Sequence, residues 1–108
     1  MAVTPFFAQL APSAASLTDM HTCPVGVAGE VGHMAIANRS ATPTTFRVSV
    51  ARAGAADATS QYLAYDKTVL GNAVERVEAI ALTPNDVVRV YATLATLSFN
   101  LSGLQIPD

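Results

Sequence analysis

Over much of its length this chain alternates apolar and polar residues with a period of two. The segment from Thr44 to Arg52 shows it most cleanly, with Phe46, Val48 and Val50 on one side and Thr45, Arg47, Ser49 and Ala51 on the other. Such alternation marks a strand with one buried and one wetter face, as in an antiparallel sheet. Two later runs repeat it: Val88 and Val90 share a face within 87–93, and Leu97, Phe99 and Leu101 share one within 97–101. Residues 73–82 break strict alternation between Val74 and Val77, which predicts a strand with a bulge there. A helix over 73–81 is the competing reading, because Ala, Glu and Arg are good helix formers, although Asn72 would be its only clear cap.

Weaker signals fill the first half. Ser16–Thr22 alternates Leu17, Asp19 and His21 against Ser16, Thr18, Met20 and Thr22, a candidate first strand. Cys23–Gly26 turns, and Ala28–Gly29 marks a further break. Val31–Asn38 reads as a strand with Met34 and Ile36 on one face and His33, Ala35 and Ala37 on the other. Tyr62–Tyr65 is a short strand, and turn formers cluster at 38–43, 53–57, 70–72 and 83–86. Short strands at roughly ten-residue spacing predict an all-β fold, an antiparallel β-sandwich (jelly-roll-like or Ig-like) of roughly seven or eight strands. Residues 1–15 read as an N-terminal arm and 16–108 as a single sandwich domain. Pro5 and Pro12 bracket an apolar patch in the arm, Val3, Phe6, Phe7 and Leu10. Its two adjacent Phe residues either tuck into the domain's own core or anchor the arm on a neighbour.

Composition shifts the picture toward assembly. The chain has 108 residues, 51% hydrophobic and only 13% charged, against about 25% charged in an ordinary soluble domain. A chain that buries surface against neighbours needs fewer surface charges; the plain alternative is a compact surface rich in Ala and Thr. The net charge is −2, and the six basic residues are scattered. Nucleic acid, which demands a concentrated positive field, is therefore excluded as a partner. No apolar run approaches the roughly 18 residues of a membrane span, so no membrane association is expected. The N-terminal residues lack the basic start of a secretory signal, which leads us to expect synthesis in a cytoplasm. A lone Cys23 forms no intrachain disulfide.

Candidate chemistry is sparse. His21, Cys23 and His33 could in principle ligate a metal, but nothing repeats the paired spacing of zinc sites. Cys23 with either histidine could form a nucleophilic pair only beside an activating helix N-terminus or cation. No Gly-x-Ser-x-Gly elbow or phosphate-binding loop is present, and Glu75 and Glu78 would point to opposite faces of a strand. We therefore expect no enzyme, no cofactor and no metal. A possible surface-binding set is Arg89 and Tyr91 on one strand face with Asn100, flanked by Ser98 and Ser102, on the last strand. Tyr would supply an apolar platform for a sugar. The bland reading of the same residues is a solvated or subunit-facing sheet surface.

Several stretches carry a resemblance. They are 37–42 (Ala-Asn-Arg-Ser-Ala-Thr), 45–50 (Thr-Phe-Arg-Val-Ser-Val), 61–66 (Gln-Tyr-Leu-Ala-Tyr-Asp), 82–92 (Leu-Thr-Pro-Asn-Asp-Val-Val-Arg-Val-Tyr-Ala) and 97–103 (Leu-Ser-Phe-Asn-Leu-Ser-Gly). In these the chain resembles the small β-rich virion structural proteins, decoration or tail accessory, of tailed bacteriophages and prophages. The likeness spans about two thirds of the chain, from residue 31 onward, and rests on strands and turns. It implies a non-enzymatic subunit of the virion, present in many copies, made in the host bacterial cytoplasm, with capsid or tail proteins as partners. Candidate assembly contacts are the apolar groups near the termini: Phe6, Phe7 and Leu10, with Leu104, Gln105 and Ile106. Deleting residues 1–12 should then abolish particle binding and leave the sandwich folded. A homotrimer or other homo-oligomer would cover the sandwich edges. The alternative reading is a host-surface glycan-binding module using Tyr91 or Asn100.

Overall fold

In the computed structural model, which describes residues 3–108, the alternating runs become eight strands. They are β1 (Thr4–Leu10), β2 (Thr18–Thr22), β3 (Val27–Asn38), β4 (Thr44–Ala51), β5 (Tyr62–Val69), β6 (Val74–Leu82), β7 (Val87–Ala92) and β8 (Leu97–Pro107). Two 3-10 turns, Arg52–Gly54 and Thr59–Gln61, lie between β4 and β5. The strands form two four-stranded antiparallel sheets, ordered β1-β8-β3-β6 and β2-β7-β4-β5. β1 pairs with β8, β2 with β7, β3 with β6 and β4 with β5, so the chain is one long hairpin whose successive rungs fall alternately in the two sheets. Of the two sandwiches expected, this is the jelly roll; an Ig-like domain groups its strands differently.

The inward faces make one core. Met34, Ile36, Leu97, Phe99 and Leu101 of the first sheet meet Phe46, Val48, Val88 and Val90 of the second, all buried. Phe46 and Phe99 meet edge to face across the layers, with centroids 6.2 Å apart. Each such side chain contributes on the order of 1.5–3 kcal/mol by leaving water. The alternation seen in 44–52 is therefore the signature of this core face.

Four local expectations are corrected. The break foreseen at Ala28–Gly29 is a bulge inside β3, where the register with β8 shifts between Val27 and Gly29. Residues 103–107, unread as strand, extend β8 and pair with both β1 and β3. Residues 73–81 are not helical, and the bulge of β6 lies further along than Val74–Val77. Gly32 opposes Ile80 while Met34 opposes Val77, so Glu78 and Ala79 together face His33, with Ala79 in the left-handed region at φ 58°. Val74 simply points outward and is exposed. Lastly, the stretch read as an arm is an edge strand. β1 pairs with β8 from Thr4–Gln105 to Leu10–Phe99, and an edge tolerates Pro5, which cannot donate to a ladder.

The two readings of the Phe pair divide between the two residues. Phe6 points inward and is 7% exposed, whereas Phe7 points outward and is 75% exposed. The Phe6 ring covers Gly32 and Gly103, which are register partners. A Cβ at Gly32 would stand 3.2 Å from its Cζ, and one at Gly103 would stand 2.9 Å from its Cε1 while running into the Val31 carbonyl. The ring also stacks on His21 of the other sheet, centroids 5.0 Å apart. Leu10 is likewise turned toward the core and partly buried against it.

All four sheet edges are guarded within the chain. β1 carries Pro5, β2 is five residues long with a register shift, β5 has two register shifts and Lys67, and β6 has the Ala79 bulge. Short, bulged, Pro- or Lys-bearing edges resist pairing with another chain. Edge coverage, the reason given above for a homotrimer, is thus met by the chain itself.

Candidate binding surfaces

Strand pairing and alternation assign the outer face of the β1-β8-β3-β6 sheet. Pro5, Leu104, Val31 and Ala81 form one row across the four strands, and Phe7, Ser102 and His33 form the next. Phe7, Val31, Leu104 and Ile106 are exposed, as is Val3 just before β1. On this face β1, β8 and β3 place no Asp, Glu, Lys or Arg; its charges, Arg76 and Glu78, sit on the edge strand β6. Toward the other end the face turns polar. Gln9 Nε2 donates to Asn100 Oδ1 at 2.9 Å, beside an open depression of about 340 Å³ that Leu10, Ser98 and Phe99 also line.

Beneath the apolar end lies a buried polar link between the sheets. The Glu30 side chain is wholly buried; its Oε1 meets His21 Nε2 at 2.7 Å, and its Oε2 accepts from Gln105 Nε2 at 2.8 Å. A buried carboxylate needs such partners. Nearby, burial pushes the Cys23 thiol up to about 11, with Glu30 and Asp86 adding to the rise. A thiol held protonated is a poor nucleophile. His33 lies on the outer face, while His21 and Cys23 lie on the inner side of the opposite sheet, so the three residues weighed as ligands are not brought together.

The outer face of the β2-β7-β4-β5 sheet is polar and aromatic. Arg47 of β4 lies over the Tyr65 ring, 4.2 Å from its centroid, and over the Tyr91 ring at 4.5 Å. Asp66 holds it through Nε–Oδ1 at 2.7 Å and Nη2–Oδ2 at 3.3 Å. That pairing holds the guanidinium more basic still. Tyr62 packs edge-on against Tyr65, centroids 5.0 Å apart, and its hydroxyl donates to Asp57 Oδ1 at 2.9 Å. Burial, followed by that bond to Asp57, raises the Tyr62 phenol above its ordinary value. Arg89 lies on the same face, committed to Asp19 Oδ1 at 2.9 Å and the Ala55 carbonyl at 2.8 Å.

The candidate residues therefore separate. Phe7, Leu104 and Ile106 share one exposed face, and Phe6 and Leu10 belong to the core side. Arg89 and Tyr91 share the outer face of one sheet, but Asn100 lies on the outer face of the other. Val31 and Arg47 were not singled out from the sequence. Only pairing across strands shows that Val31 adjoins Leu104 and that Arg47 lies between two tyrosines.

No family model matches the chain, and no curated protein matches it. Among solved structures, it is similar to a chain in the structure of infectious bursal disease virus, Gx strain, with TM-score 0.55 and 8% identity over 99% of this chain. It spans only 30% of that viral chain. A chain of the cyanophage Pam1 capsid asymmetric unit aligns at TM-score 0.47 and 16% identity, covering 97% of this chain and 85% of that one. A chain of the crystal structure of PirA aligns at 0.44 and 11%, covering 94% and 92%. At 8% identity the first likeness is one of fold.

Proposed function

We propose that this chain is a non-enzymatic structural subunit of a phage virion, seated on the capsid or tail by the outer face of its β1-β8-β3-β6 sheet. The observation that carries this is Phe7, 75% exposed beside Val31, Leu104 and Ile106 on a face whose three adjoining strands contribute no formal charge. Exposed contiguous apolar surface of this kind marks an interaction site. The sequence resemblance and the shared fold with a chain of a virus particle support the same reading. Its role is mechanical: a small module repeated by the particle's symmetry uses one patch many times, and many weak contacts add.

The test is a double substitution, Phe7→Ser with Leu104→Ser, on exposed positions that leave the core intact. Particles lacking the protein are incubated with each form, and bound copies are counted by mass spectrometry against the major capsid protein. The wild type should bind to saturation and the variant should lose most of its occupancy, with an unchanged circular dichroism spectrum. Full occupancy by the folded variant would refute seating by this face. Light scattering on the free chain reads self-association. A mass above the 11.2 kDa monomer that the double variant brings back to monomer places the contact between copies on the same face.

A further inference from the structure

On the outer face of the β2-β7-β4-β5 sheet, the end nearest the β4–β5 connection is covered. Ser49 and Ala51 of β4 and Val87 of β7 alternate with the core residues Val48, Val50 and Val88 and so point outward, yet they are 0%, 0% and 8% exposed. The cover is the connection itself, residues 52–61, with its two 3-10 turns. Gly54 rests on Val87: a Cβ there would stand 3.9 Å from Val87 Cγ2. Asp86 anchors the start of the connection, accepting from Arg52 Nη1 and from the Ala53 amide. Beyond that anchor the hold is slight. No residue from Gly54 to Ser60 is buried, so this stretch sets no side chain into the sheet. It is tied down by polar contacts, Arg89 Nη1 donating to the Ala55 carbonyl at 2.8 Å and the Tyr62 hydroxyl to Asp57 Oδ1 at 2.9 Å. Arg89, Ser49 and Tyr62 are register partners in one row, so the two clamps stand on either side of the serine.

We infer that residues 54–60 are a lid, which lifts from the sheet as a unit while the sandwich stays folded and bares Ser49, Ala51 and Val87. The closed form carries a visible cost. Among the described residues the buried Ser49 hydroxyl has no hydrogen-bond partner, and water supplies one once the lid lifts. Against that cost stand a small apolar contact and the two clamps. Segments with few buried apolar contacts and exposed hydrogen bonds open locally, at a fraction of the free energy of global unfolding. The hinges are also in place. Gly54, at φ 72°, follows the anchored Ala53, and a glycine turns there without the steric penalty of a Cβ. The Thr59–Gln61 turn takes up the motion at the other end. β4 itself is held between β7 and β5 and need not move. The lid is independent of seating by Phe7 and Leu104, since it lies on the opposite sheet.

The experiment places a thiol under the lid, Ser49→Cys in the whole chain, and follows its alkylation by N-ethylmaleimide with mass spectrometry of the peptides. Ala51→Cys is the second reporter, used if the first variant does not fold. Cys23, wholly buried at the other side of the same sheet, reports global unfolding in the same molecule. Rates are measured from zero to about 2 M urea, because urea accelerates an opening in proportion to the surface it exposes. The introduced thiol should react at a rate that urea barely changes, whereas modification of Cys23 should rise steeply. Tyr62→Phe removes the bond to Asp57 and should speed alkylation under the lid by about threefold or more, the effect of one lost hydrogen bond, with the Cys23 rate unchanged. A shared urea slope for the two thiols would overturn the lid, since the cover would then lift only when the chain unfolds. So would reaction at the rate of a free exposed thiol, or an alkylation rate that Tyr62→Phe leaves unaltered.

Discussion

At the residue scale, Asp86 shows how one side chain ties loops to the sandwich. It is 2% exposed, and its carboxylate accepts from the Thr83 amide at 2.9 Å, the Thr83 hydroxyl at 3.0 Å, the Ala53 amide at 2.8 Å and Arg52 Nη1 at 2.6 Å. Burial alone would raise its pKa; the hydrogen bonds from Thr83, Ala53 and Arg52 outweigh burial and hold it at about 2, below the ordinary 3.8. The unfolded chain therefore takes up the proton first. The contribution of Asp86 to stability is complete above about pH 4 and is lost as pH falls through 2. Asp86→Ala leaves the two amides and the guanidinium without their acceptor and should cost about 3 kcal/mol. Urea unfolding at pH 7 and at pH 2.5 checks both statements: the gap between wild type and variant should narrow at the lower pH. The sequence placed Asp86 in a turn, Thr83-Pro84-Asn85-Asp86, and that was legible because turn formers are local. Its bond to Ala53 crosses 33 positions, and no local pattern announces it.

At the element scale, β6 shows why periodicity located a bulge yet misplaced it. The apolar residues Val74, Val77, Ile80 and Leu82 break strict alternation twice, before and after Val77, without saying which break is the bulge. The partner strand decides: β3 puts Met34 against Val77 and Gly32 against Ile80, which pushes the extra residue to Glu78–Ala79. Ala79 then adopts φ 58°, a conformation that costs an L-residue with a Cβ roughly 1–2 kcal/mol. Ala79→Gly removes that cost on an exposed edge and should raise stability by about 0.5–1 kcal/mol, net of glycine's greater entropy when unfolded. Thermal unfolding measures it; an unchanged or lower melting temperature would mean that the bulge is unstrained at Ala79. The competing helix reading fails for the same reason. Good intrinsic helix formers lose to an edge-strand slot beside β3, where Val77, Ile80 and Leu82 reach the core.

At the scale of the whole molecule, the first strand closes the roll. β1 contributes Phe6 to the core and Phe7 to the surface in consecutive positions, so one segment carries both a core anchor and the most exposed aromatic of the apolar outer face. Deleting residues 1–12 therefore does more than remove exposed apolar surface. It uncovers Gly32 and Gly103, strips the ring stacked on His21, and leaves β8 as a bare edge. Loss of Phe6 alone should cost about 3–5 kcal/mol. The truncated chain should show a strongly lowered melting temperature or fail to fold, in contrast with Phe7→Ser, Leu104→Ser. A truncation that keeps wild-type stability in calorimetry would show that β1 packs only weakly.

What the sequence determined by itself is the local grammar: an all-β chain, its strands in 44–52, 87–93 and 97–101, its turns, and a surface poor in charge. Those follow from backbone alternation and turn chemistry, which act over a few residues. Tertiary structure alone decided the rest, because each item requires strands far apart in the chain to meet. Closure of a single rolled hairpin chose the jelly roll over the Ig-like sandwich and turned the supposed arm into an edge strand. It buried Phe6 against paired glycines while leaving Phe7 in water. It set Arg89 and Tyr91 on one side of the sandwich and Asn100 on the other, and it gave Tyr91 new neighbours in Arg47 and Tyr65.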